Sequence, residues 1–368
     1  TDRAFLVRIF TKLMFNFSWW LNRKDSDGSN LFEGGFLGMD NISVFDRSRD
    51  VPPGWRLEQS DATSWMAFTS LSMLRIALEL SREDQAFDGL ATTFLEHFLS
   101  VAEAMETFGT DDVSLWDEAD GFFYDVLVGP DGHSEPVRLR SLVGLLPLIA
   151  VAHAPDWITR ELPDFVARLR WLQRQRPDLT DALVTTRAEG QVVTSLAPLT
   201  AARAQALMAR LFDEGEFLGP HGIRSLSAAY RGGVTLDVAG VSMSVAYDPG
   251  ESTTTLFGGN SNWRGPVWFP INVLLIDGLR GHARAAGGSA EVEYPTGSGR
   301  TRGLGEVADD LELRLVSLFR PGADGRRPGT PRDHPSGPLW DVHPTFAEYF
   351  DGDTGRGDAL AHQTGEGR

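Results

Sequence analysis

Cysteine is absent from the 368-residue sequence. Its absence excludes disulfide bonds, thiolate nucleophiles and metal sites built on thiolates. Long apolar runs are also lacking, because the longest, 142–151 and 267–275, contain Pro or Asn and are too short to cross a bilayer. The first residues do not have the pattern of a signal peptide, since Thr1 leads directly into an amphipathic stretch. We therefore expect a cytoplasmic protein without a transmembrane helix.

Basic residues are in the minority: 34 Lys and Arg stand against 51 Asp and Glu, which gives a formal net charge of −17. A surface of this sign repels the phosphates of nucleic acids and the head groups of anionic lipids. We therefore expect no nucleic acid partner and no membrane partner.

Both termini have the character of cut ends. No initiator Met precedes Thr1, and the chain stops at Arg368 directly after a motif-like stretch. We interpret residues 1–368 as a single domain that is truncated at the N-terminus and at the C-terminus.

Helical periodicity dominates the chain. A wide apolar stripe over 3–22 predicts a largely buried helix, and a second helix is predicted from Asp61, taken as its N-cap, to Ser81. Further helices are predicted at 84–107, 140–152, 156–175, 198–214, 266–286 and 303–319.

Strand patterns are few. They are confined to 121–128 and 235–243, whereas the polar segments 177–197 and 285–302 are predicted to be surface excursions. Long helices that alternate with irregular loops indicate an all-α protein of paired helices with small β pieces in its loops. The candidate catalytic and binding residues fall in these loops, so we expect the function at one end of a helical barrel.

The first of three such loops combines glycines at 34, 35 and 38 with Glu33, Asp40, Asn41 and Asp46. Glycine permits close approach of the backbone to a ligand, and carboxylates and amides beside flat aromatic rings suit a sugar. The alternative interpretation is an acidic, glycine-rich surface loop.

The second loop, 258–268, leads into an apolar helix and contains Trp263, Arg264 and Trp268. Pro266 is compatible with the first turn of that helix, which places 262–264 at its mouth. A packed Trp with its Arg stacked on it is the structural alternative. The glycine spacing matches neither a phosphate loop nor a dinucleotide fingerprint, so nucleotide binding is disfavoured.

The third loop, 346–355, places Glu348 between aromatic residues and is followed by Gln363 in the stretch 362–365. A glutamate in such surroundings is partly withdrawn from water, which suits a group that transfers protons. Alternatively, Glu348 is an exposed residue on a short helical turn. The spacing of Asp351 and Asp353 lacks the remaining ligands of an EF-hand.

Other catalytic arrangements find little support. His221, His343 and His362 are far apart in the sequence and lack metal-ligand spacing, which favours structural histidines. The Gly-x-Ser-x-Gly elbow of serine hydrolases does not occur.

Taken in order, the three loops resemble the catalytic domain of glycoside hydrolase family 63, which includes processing α-glucosidase I and mannosylglycerate hydrolases. The resemblance extends over nearly the whole chain. Its anchors are Gly38-Met39-Asp40-Asn41, Asn262-Trp263-Arg264-Gly265-Pro266-Val267-Trp268, Glu348-Tyr349-Phe350 and His362-Gln363-Thr364-Gly365.

The resemblance implies an (α/α)6 toroid and hydrolysis of an α-linked glucoside or mannoside with inversion. It implies that Asp40 is the general acid and Glu348 the general base, roughly 6.5 to 9.5 Å apart as inversion requires. The sugar would be held by further loop residues, namely Glu33, Asn41, Asp46, Trp263, Arg264, Trp268 and Gln363. Neither a metal nor an organic cofactor is needed for this chemistry.

The chain departs from the family pattern at both ends. The family's Trp-Asp motif near the start of its catalytic domain would lie before Thr1, and the Trp and final helix that follow the His-Gln-Thr-Gly stretch in relatives are replaced by 366–368. Two alternatives therefore stay open. One is another (α/α)6 hydrolase such as a trehalase-like enzyme, and the other is a sugar-binding remnant without catalysis.

Overall fold

Helices form the framework of the protein. The computed structural model describes residues 2–22, 30–32, 39, 41–106, 108, 113–154, 156–176, 183–188, 191–253, 262–323, 325–331, 343 and 346–358. The α-helices in this part are α1 (Arg3–Leu21), α2 (Ser60–Ser81), α3 (Ala86–Glu106), α4 (Ile158–Glu161), α5 (Pro163–Gln175), α6 (Ala201–Leu211), α7 (Phe269–Ala285) and α8 (Leu304–Ser317).

The first helix is correctly predicted in extent but not in burial. Asp2 caps it by accepting a hydrogen bond from the amide of Phe5 at 3.0 Å. Phe10 and Phe17 are buried, whereas the side chains of Phe5 and Phe15 are 50% and 74% exposed. The prediction of a largely buried helix is therefore wrong, because only one stripe of α1 packs against α2 and α3.

Helix α2 lies at the centre of the helical layer. Because many of its side chains are small, neighbouring elements pack closely around it. Most of its surface is buried against α1, α3 and the turns near residue 145. The N-cap position belongs to Gln59, and Asp61 lies inside the first turn. The prediction of Asp61 as the cap is wrong, because its carboxylate binds an arginine instead.

The helices predicted at 84–107, 198–214, 266–286 and 303–319 are confirmed as α3, α6, α7 and α8. The one predicted at 140–152 is wrong, because two short 3₁₀ turns, Leu142–Gly144 and Leu146–Ile149, take its place, and Pro147 lies at the start of the second. The stretch 156–175 divides into α4 and α5, since Pro163 starts a new helix rather than continuing the first.

Small antiparallel sheets join the helices. Their strands are β1 (Arg56–Glu58), β2 (Trp116–Asp117), β3 (Phe122–Phe123), β4 (Val126–Val128), β5 (Ser134–Pro136), β6 (Ala152–His153), β7 (Leu183–Ala188), β8 (Gln191–Leu196), β9 (Leu218–Gly219), β10 (Gly222–Ile223), β11 (Val234–Val238), β12 (Val241–Val245), β13 (Glu291–Glu293), β14 (Thr301–Gly303), β15 (Tyr349–Phe350) and β16 (Gly357–Asp358). Two sheets have three strands, in the orders β1-β4-β5 and β6-β8-β7.

The strand predictions are confirmed at 121–128 and 235–243, where β3, β4 and the β11–β12 hairpin lie. The segments 177–197 and 285–302 are not simple excursions. The first contains the β7–β8 hairpin and the second the β13–β14 pair. Their polar composition hid these strands, because strand prediction depends on apolar residues in alternation.

The largest group of buried side chains surrounds the second and third loops. It includes Met39, Trp263, Trp268 and Tyr349 and extends to α6, α7 and α8. Within the described residues, no helix combines the length and apolar character that crossing a bilayer requires.

Candidate active site

The second and third loops are joined by backbone pairing. The amide of Val267 donates to the carbonyl of Phe350 at 2.7 Å, and the amide of Phe350 donates back at 3.0 Å. Val267 also forms an isolated bridge with Arg224 on its other side. Two motifs that are distant in the sequence are therefore in direct contact through their backbones.

An aromatic stack lies at this junction. The rings of Trp263 and Trp268 are parallel within 2°, with centroids 3.7 Å apart, and Tyr349 follows at 5.2 Å from Trp268. The two indoles are only 4% and 8% exposed. Trp263 is therefore packed on Trp268, which agrees with the packed Trp of the alternative interpretation.

Asn262 fastens the stack to its surroundings. Its fully buried side chain donates to the carbonyls of Asp248 and Gly250, at 2.8 and 2.7 Å, and accepts from the amide of Arg264 at 2.9 Å. The Asn262 carbonyl accepts from the indole nitrogen of Trp268. Every one of these contacts satisfies a polar group that would otherwise be costly to bury.

The Arg264 guanidinium is nearly buried beside this stack. One of its terminal nitrogens donates to Ser252 Oγ at 2.7 Å. Burial lowers the pKa of Arg264, and the negative charge of Asp248 opposes this shift.

Pro266 does not start the following helix, since α7 begins at Phe269 and carries Pro270 in its first turn. The prediction for Pro266 is therefore wrong.

Residues 247–253, called the bridging segment here, connect the two loops and were missed from the sequence. Pro249 accepts a hydrogen bond from the amide of Gly352, and Glu251 accepts one from the hydroxyl of Tyr349 at 3.1 Å. The signal that could have revealed it is the Pro-Gly pair followed by a carboxylate, which predicts a tight turn beside polar chemistry.

Glu348 directly precedes β15 and is half-buried. It stands on a bend next to a strand, and not on the helical turn of the alternative interpretation. Burial and the nearby charges of Glu251, Asp358 and Glu348 raise the pKa of Tyr349. The Tyr349 hydroxyl therefore stays protonated and can act as a hydrogen-bond donor in this acidic environment.

The first loop is described only in part. Glu33, Asp40 and Gln363 lie outside the described residues. Asn41 is buried, and Asp46 Oδ1 accepts from the amide and hydroxyl of Ser48 at 2.9 and 2.7 Å. The role predicted for Asp46 as a sugar ligand stays a prediction, with one oxygen already used by this turn.

A buried charge cluster stands behind the first loop. Arg47 forms a bidentate pair with Asp61, at 2.8 and 2.7 Å, and a further bond with Asp125 at 2.9 Å. Burial is the main cause that raises the pKa of Asp125 to about 6, against the opposing effect of Arg47. Sequence analysis did not identify this cluster because its members belong to three separate elements.

The carboxylates of the third loop are engaged in structural contacts. Asp351 Oδ1 accepts from the amides of Asp353 and Thr354, and Asp353 binds Arg231 through both oxygens at 2.7 and 2.8 Å. His221 meets Ser317 at 2.8 Å, as a structural histidine would. No group of carboxylates and histidines with metal-binding geometry occurs among the described residues.

A cavity of about 320 Å³ lies elsewhere, against α1, α2 and α4. Its charged lining is paired, since Arg3 meets Glu83 and Arg82 meets Glu161. It contains none of the predicted site residues. We therefore assign it no part in the site.

No family model matches the chain. Among curated proteins, the chain is 43% identical over 382 residues to the uncharacterized protein YMR196W of Saccharomyces cerevisiae, covering 99% of this chain. The chain spans 35% of the length of that relative.

Two solved structures from Thermus thermophilus are similar to the chain. An uncharacterized conserved protein matches with a TM-score of 0.50 at 15% identity, over 96% of this chain and 67% of that one. The GH63 mannosylglycerate hydrolase in complex with Tris matches with a TM-score of 0.48 at 15% identity, over 97% and 68%. At this level of identity, the first match concerns the fold alone.

Proposed function

We propose that the protein is an inverting glycoside hydrolase that cleaves a small α-linked glucoside or mannoside, within a single (α/α)6 domain. The observation that carries this proposal is the pairing of Val267 with Phe350, which accompanies the contact of Tyr349, the neighbour of Glu348 in the chain, with Trp268 at 5.2 Å between ring centroids. The order of the three motifs along the chain supports it independently.

The proposed reaction needs two carboxyl groups on opposite faces of the sugar. Asp40 donates a proton to the glycosidic oxygen while the bond to the anomeric carbon breaks. Glu348 accepts a proton from the water that attacks this carbon from the other side. The products are a free sugar of inverted configuration and an alcohol, and acid and base return to their starting states by proton exchange with solvent.

The remaining site residues are proposed to hold the sugar. Trp263, Arg264 and Trp268 belong to the loop that pairs with the Glu348 loop through Val267 and Phe350, and Asn41 follows the proposed acid in the chain. Glu33, Asp46 and Gln363 complete the proposed set. The rigid bonds of Asn262 to the bridging segment support this assignment, because a site that must align two carboxylates benefits from fixed walls.

A substrate panel tests the proposal. Purified protein is incubated with α-glucosides, α-mannosides and their 2-O-glycosyl glycerates, and the first-formed anomer is followed by proton NMR. We expect hydrolysis of at least one class, with release of the β-anomer. Asp40→Asn and Glu348→Gln should each lower kcat by about 10² to 10⁴, the usual contribution of a general acid or base.

Glu306→Gln serves as the matched control, because this carboxylate lies in the first turn of α8, its side chain 70% exposed. It should leave kcat unchanged. Hydrolysis that survives both Asp40→Asn and Glu348→Gln would contradict the assignment of acid and base. Sugar binding without hydrolysis, unchanged in Glu348→Gln, would select the binding remnant instead.

A further inference from the structure

The side chain of Arg47 has no exposed surface and joins three elements of the fold. Its two terminal nitrogens grip both oxygens of Asp61 in the first turn of α2, and one of them also reaches Asp125 just before β4. Paired donors of this kind fix a guanidinium in orientation as well as in place. The Arg47 side chain is therefore held rigidly from one side.

The carboxylate partners are themselves anchored at the start of α2. Asp125 Oδ1 accepts a hydrogen bond from the amide of Ser60, the first residue of that helix, at 2.9 Å. The N-terminus of a helix stabilises negative charge, so it helps to balance two carboxylates against one guanidinium. Both carboxylates that bind Arg47 are therefore attached to the start of α2.

The opposite side of Arg47 meets the backbone of the first loop. Its Nη2 donates to the carbonyl of Met39 at 3.1 Å, and the same carbonyl accepts from the amide of Ile42 at 3.1 Å. Met39 itself is fully buried. Because a peptide group is planar, a fixed carbonyl also fixes the direction in which the chain leaves toward the next residue. That next residue is Asp40.

We propose that Arg47 is a positioning residue for proton donation, acting through the Met39 carbonyl on the backbone that leads into Asp40. This inference rests on the proposed function, in which Asp40 is the general acid. The bond to the Met39 carbonyl ties this ion cluster to the backbone of the first loop, directly before the proposed acid.

Arg47→Lys separates the two roles, because lysine keeps the positive charge but cannot bind Asp61 through two nitrogens while also reaching Met39. The substrates are chosen by their leaving groups. In a glycosyl fluoride the C–F bond breaks and fluoride departs without a proton. In a 2-O-glycosyl glycerate the C–O bond breaks and the departing oxygen takes a proton from the acid. Water adds to the anomeric carbon in both.

We expect Arg47→Lys to lower kcat on α-glucosyl or α-mannosyl glycerate by about 30-fold, less than the roughly 10² to 10⁴ that a general acid contributes in full, and on the matching fluoride by less than about 3-fold. KM should change little. Equal losses on both substrates would overturn the inference, because general damage to the fold does not distinguish leaving groups.

Arg210→Lys is the matched control. Arg210, on α6, also binds two carboxylates, those of Glu216 and Asp120, and the backbone carbonyl of Asp120. None of these bonds involves a predicted site residue. It should leave the ratio of the two kcat values unchanged. If Arg47→Lys does not fold, Asp61→Asn replaces it, because it weakens the bonds to Arg47 without removing the arginine. It should shift the ratio of the two kcat values in the same direction.

Hydrogen exchange separates this inference from the proposed function. In Arg47→Lys, the amide of Ile42 should exchange at least about 10-fold faster than in the unmodified protein, and in Arg210→Lys at an unchanged rate. If the unmodified protein hydrolyses neither substrate, the proposed function fails and the positioning role in catalysis fails with it. If hydrolysis is normal and Ile42 exchange in Arg47→Lys is unchanged, the inference alone fails.

Discussion

Asn262 illustrates how much of the site depends on one side chain. Its amide group bonds two backbone carbonyls of the bridging segment and one backbone amide, and it is fully buried. Removing such a group leaves its partners buried without hydrogen bonds, and water cannot replace it without entering the core.

We therefore predict that Asn262→Ala lowers the free energy of unfolding by about 3 kcal/mol. The near-UV circular dichroism of the stacked Trp263 and Trp268 should weaken as well. Asn272→Ala is the matched control, because Asn272 is equally buried and bonds Ile223 and Trp268 backbone atoms. It should show a similar loss of stability in urea unfolding with the indole signal retained. An Asn262→Ala variant as stable as the unmodified protein would contradict this role.

The ionisation of Asp125 predicts how the free energy of unfolding depends on pH. Its pKa is about 6 in the folded protein, mainly through burial, whereas an unfolded aspartate titrates near 3.9. The folded state therefore binds the proton more tightly, and the stability that this group contributes is complete below pH 4 and is lost as pH rises through 6. The change is up to about 3 kcal/mol.

Asp125→Asn cannot titrate, so it provides the comparison. The unfolding free energy of the unmodified protein minus that of Asp125→Asn should fall by about 1 to 3 kcal/mol between pH 4 and pH 7. Denaturant unfolding of both proteins at four pH values measures it. A difference that stays constant over this range would show that Asp125 keeps an ordinary pKa in the fold.

At the scale of residues, sequence patterns identified the loop residues better than their partners. Trp263, Arg264, Trp268 and Glu348 were singled out from their local motifs, and the structure stacks the two indoles and pairs the backbones of the two motifs. Arg47 was passed over because its role depends on two aspartates that approach only after folding. Local composition cannot reveal a cluster assembled from a loop, a helix start and a strand.

At the scale of elements, helix α7 packs unusually closely through its glycines. A Cβ placed on Gly278 would lie 2.4 Å from the carbonyl oxygen of Leu148 and 3.0 Å from Ile149 Cα. Backbone atoms cannot move aside as the end of a side chain can. One turn further on, His282 meets the same Leu148 carbonyl at 3.2 Å.

Gly278→Ala should therefore destabilise the protein by about 2 to 3 kcal/mol, although alanine favours the helix, because overpacking exceeds the gain in propensity. Gly89→Ala in α3 is the matched control. No neighbouring atom lies within 4 Å of a Cβ at Gly89. It should stabilise the protein by about 0.5 to 1 kcal/mol. Thermal unfolding of both variants tests the pair, and a stabilising Gly278→Ala would refute the close approach.

Element prediction succeeded where periodicity extends over several turns, as in α2, α3, α7 and α8. It failed at 140–152, where an apolar run of helical appearance forms two 3₁₀ turns around Pro147. A run that is buried on every side carries no periodic signal, so only proline indicated the break. The polar hairpins failed for the opposite reason, since they have too little apolar alternation to be recognised.

At the scale of the whole molecule, the two faces of α1 differ in their surroundings. Phe10 lies edge-on to Phe87 and Phe94, with ring centroids 5.6 and 5.9 Å apart, whereas Phe15 is 74% exposed. Exposure of a large aromatic ring favours self-association through apolar contact.

We predict that Phe15→Lys changes the free energy of unfolding by less than about 0.5 kcal/mol, as is usual at the surface, and lowers self-association at high concentration. Phe10→Lys should instead destabilise the protein by at least about 3 kcal/mol, since it buries a charge among aromatic rings. Thermal unfolding and sedimentation velocity measure both effects. A large loss of stability in Phe15→Lys would mean that this ring is covered in solution.

The overall architecture was predictable to the level of a helix-rich domain with small sheets in its loops. The closed ring of helices rested on resemblance, because no local pattern encodes closure. The sequence predicted three loops for the candidate site, and the structure shows the second and third of them in contact. The bridging segment, which joins the second and third loops, contributes three backbone carbonyls beside the side chains of Glu251 and Ser252. Side-chain chemistry gives no sign of the carbonyls.

These carbonyl acceptors bear on any exchange of loops with relatives. Donors on 262–268 and on 352 match acceptors at Asp248, Pro249 and Gly250, so each segment is fitted to the others. A transplanted loop that arrives alone would leave acceptors unmatched in a dry interior. Chimaeras that fold should therefore exchange the bridging segment and the second and third loops together.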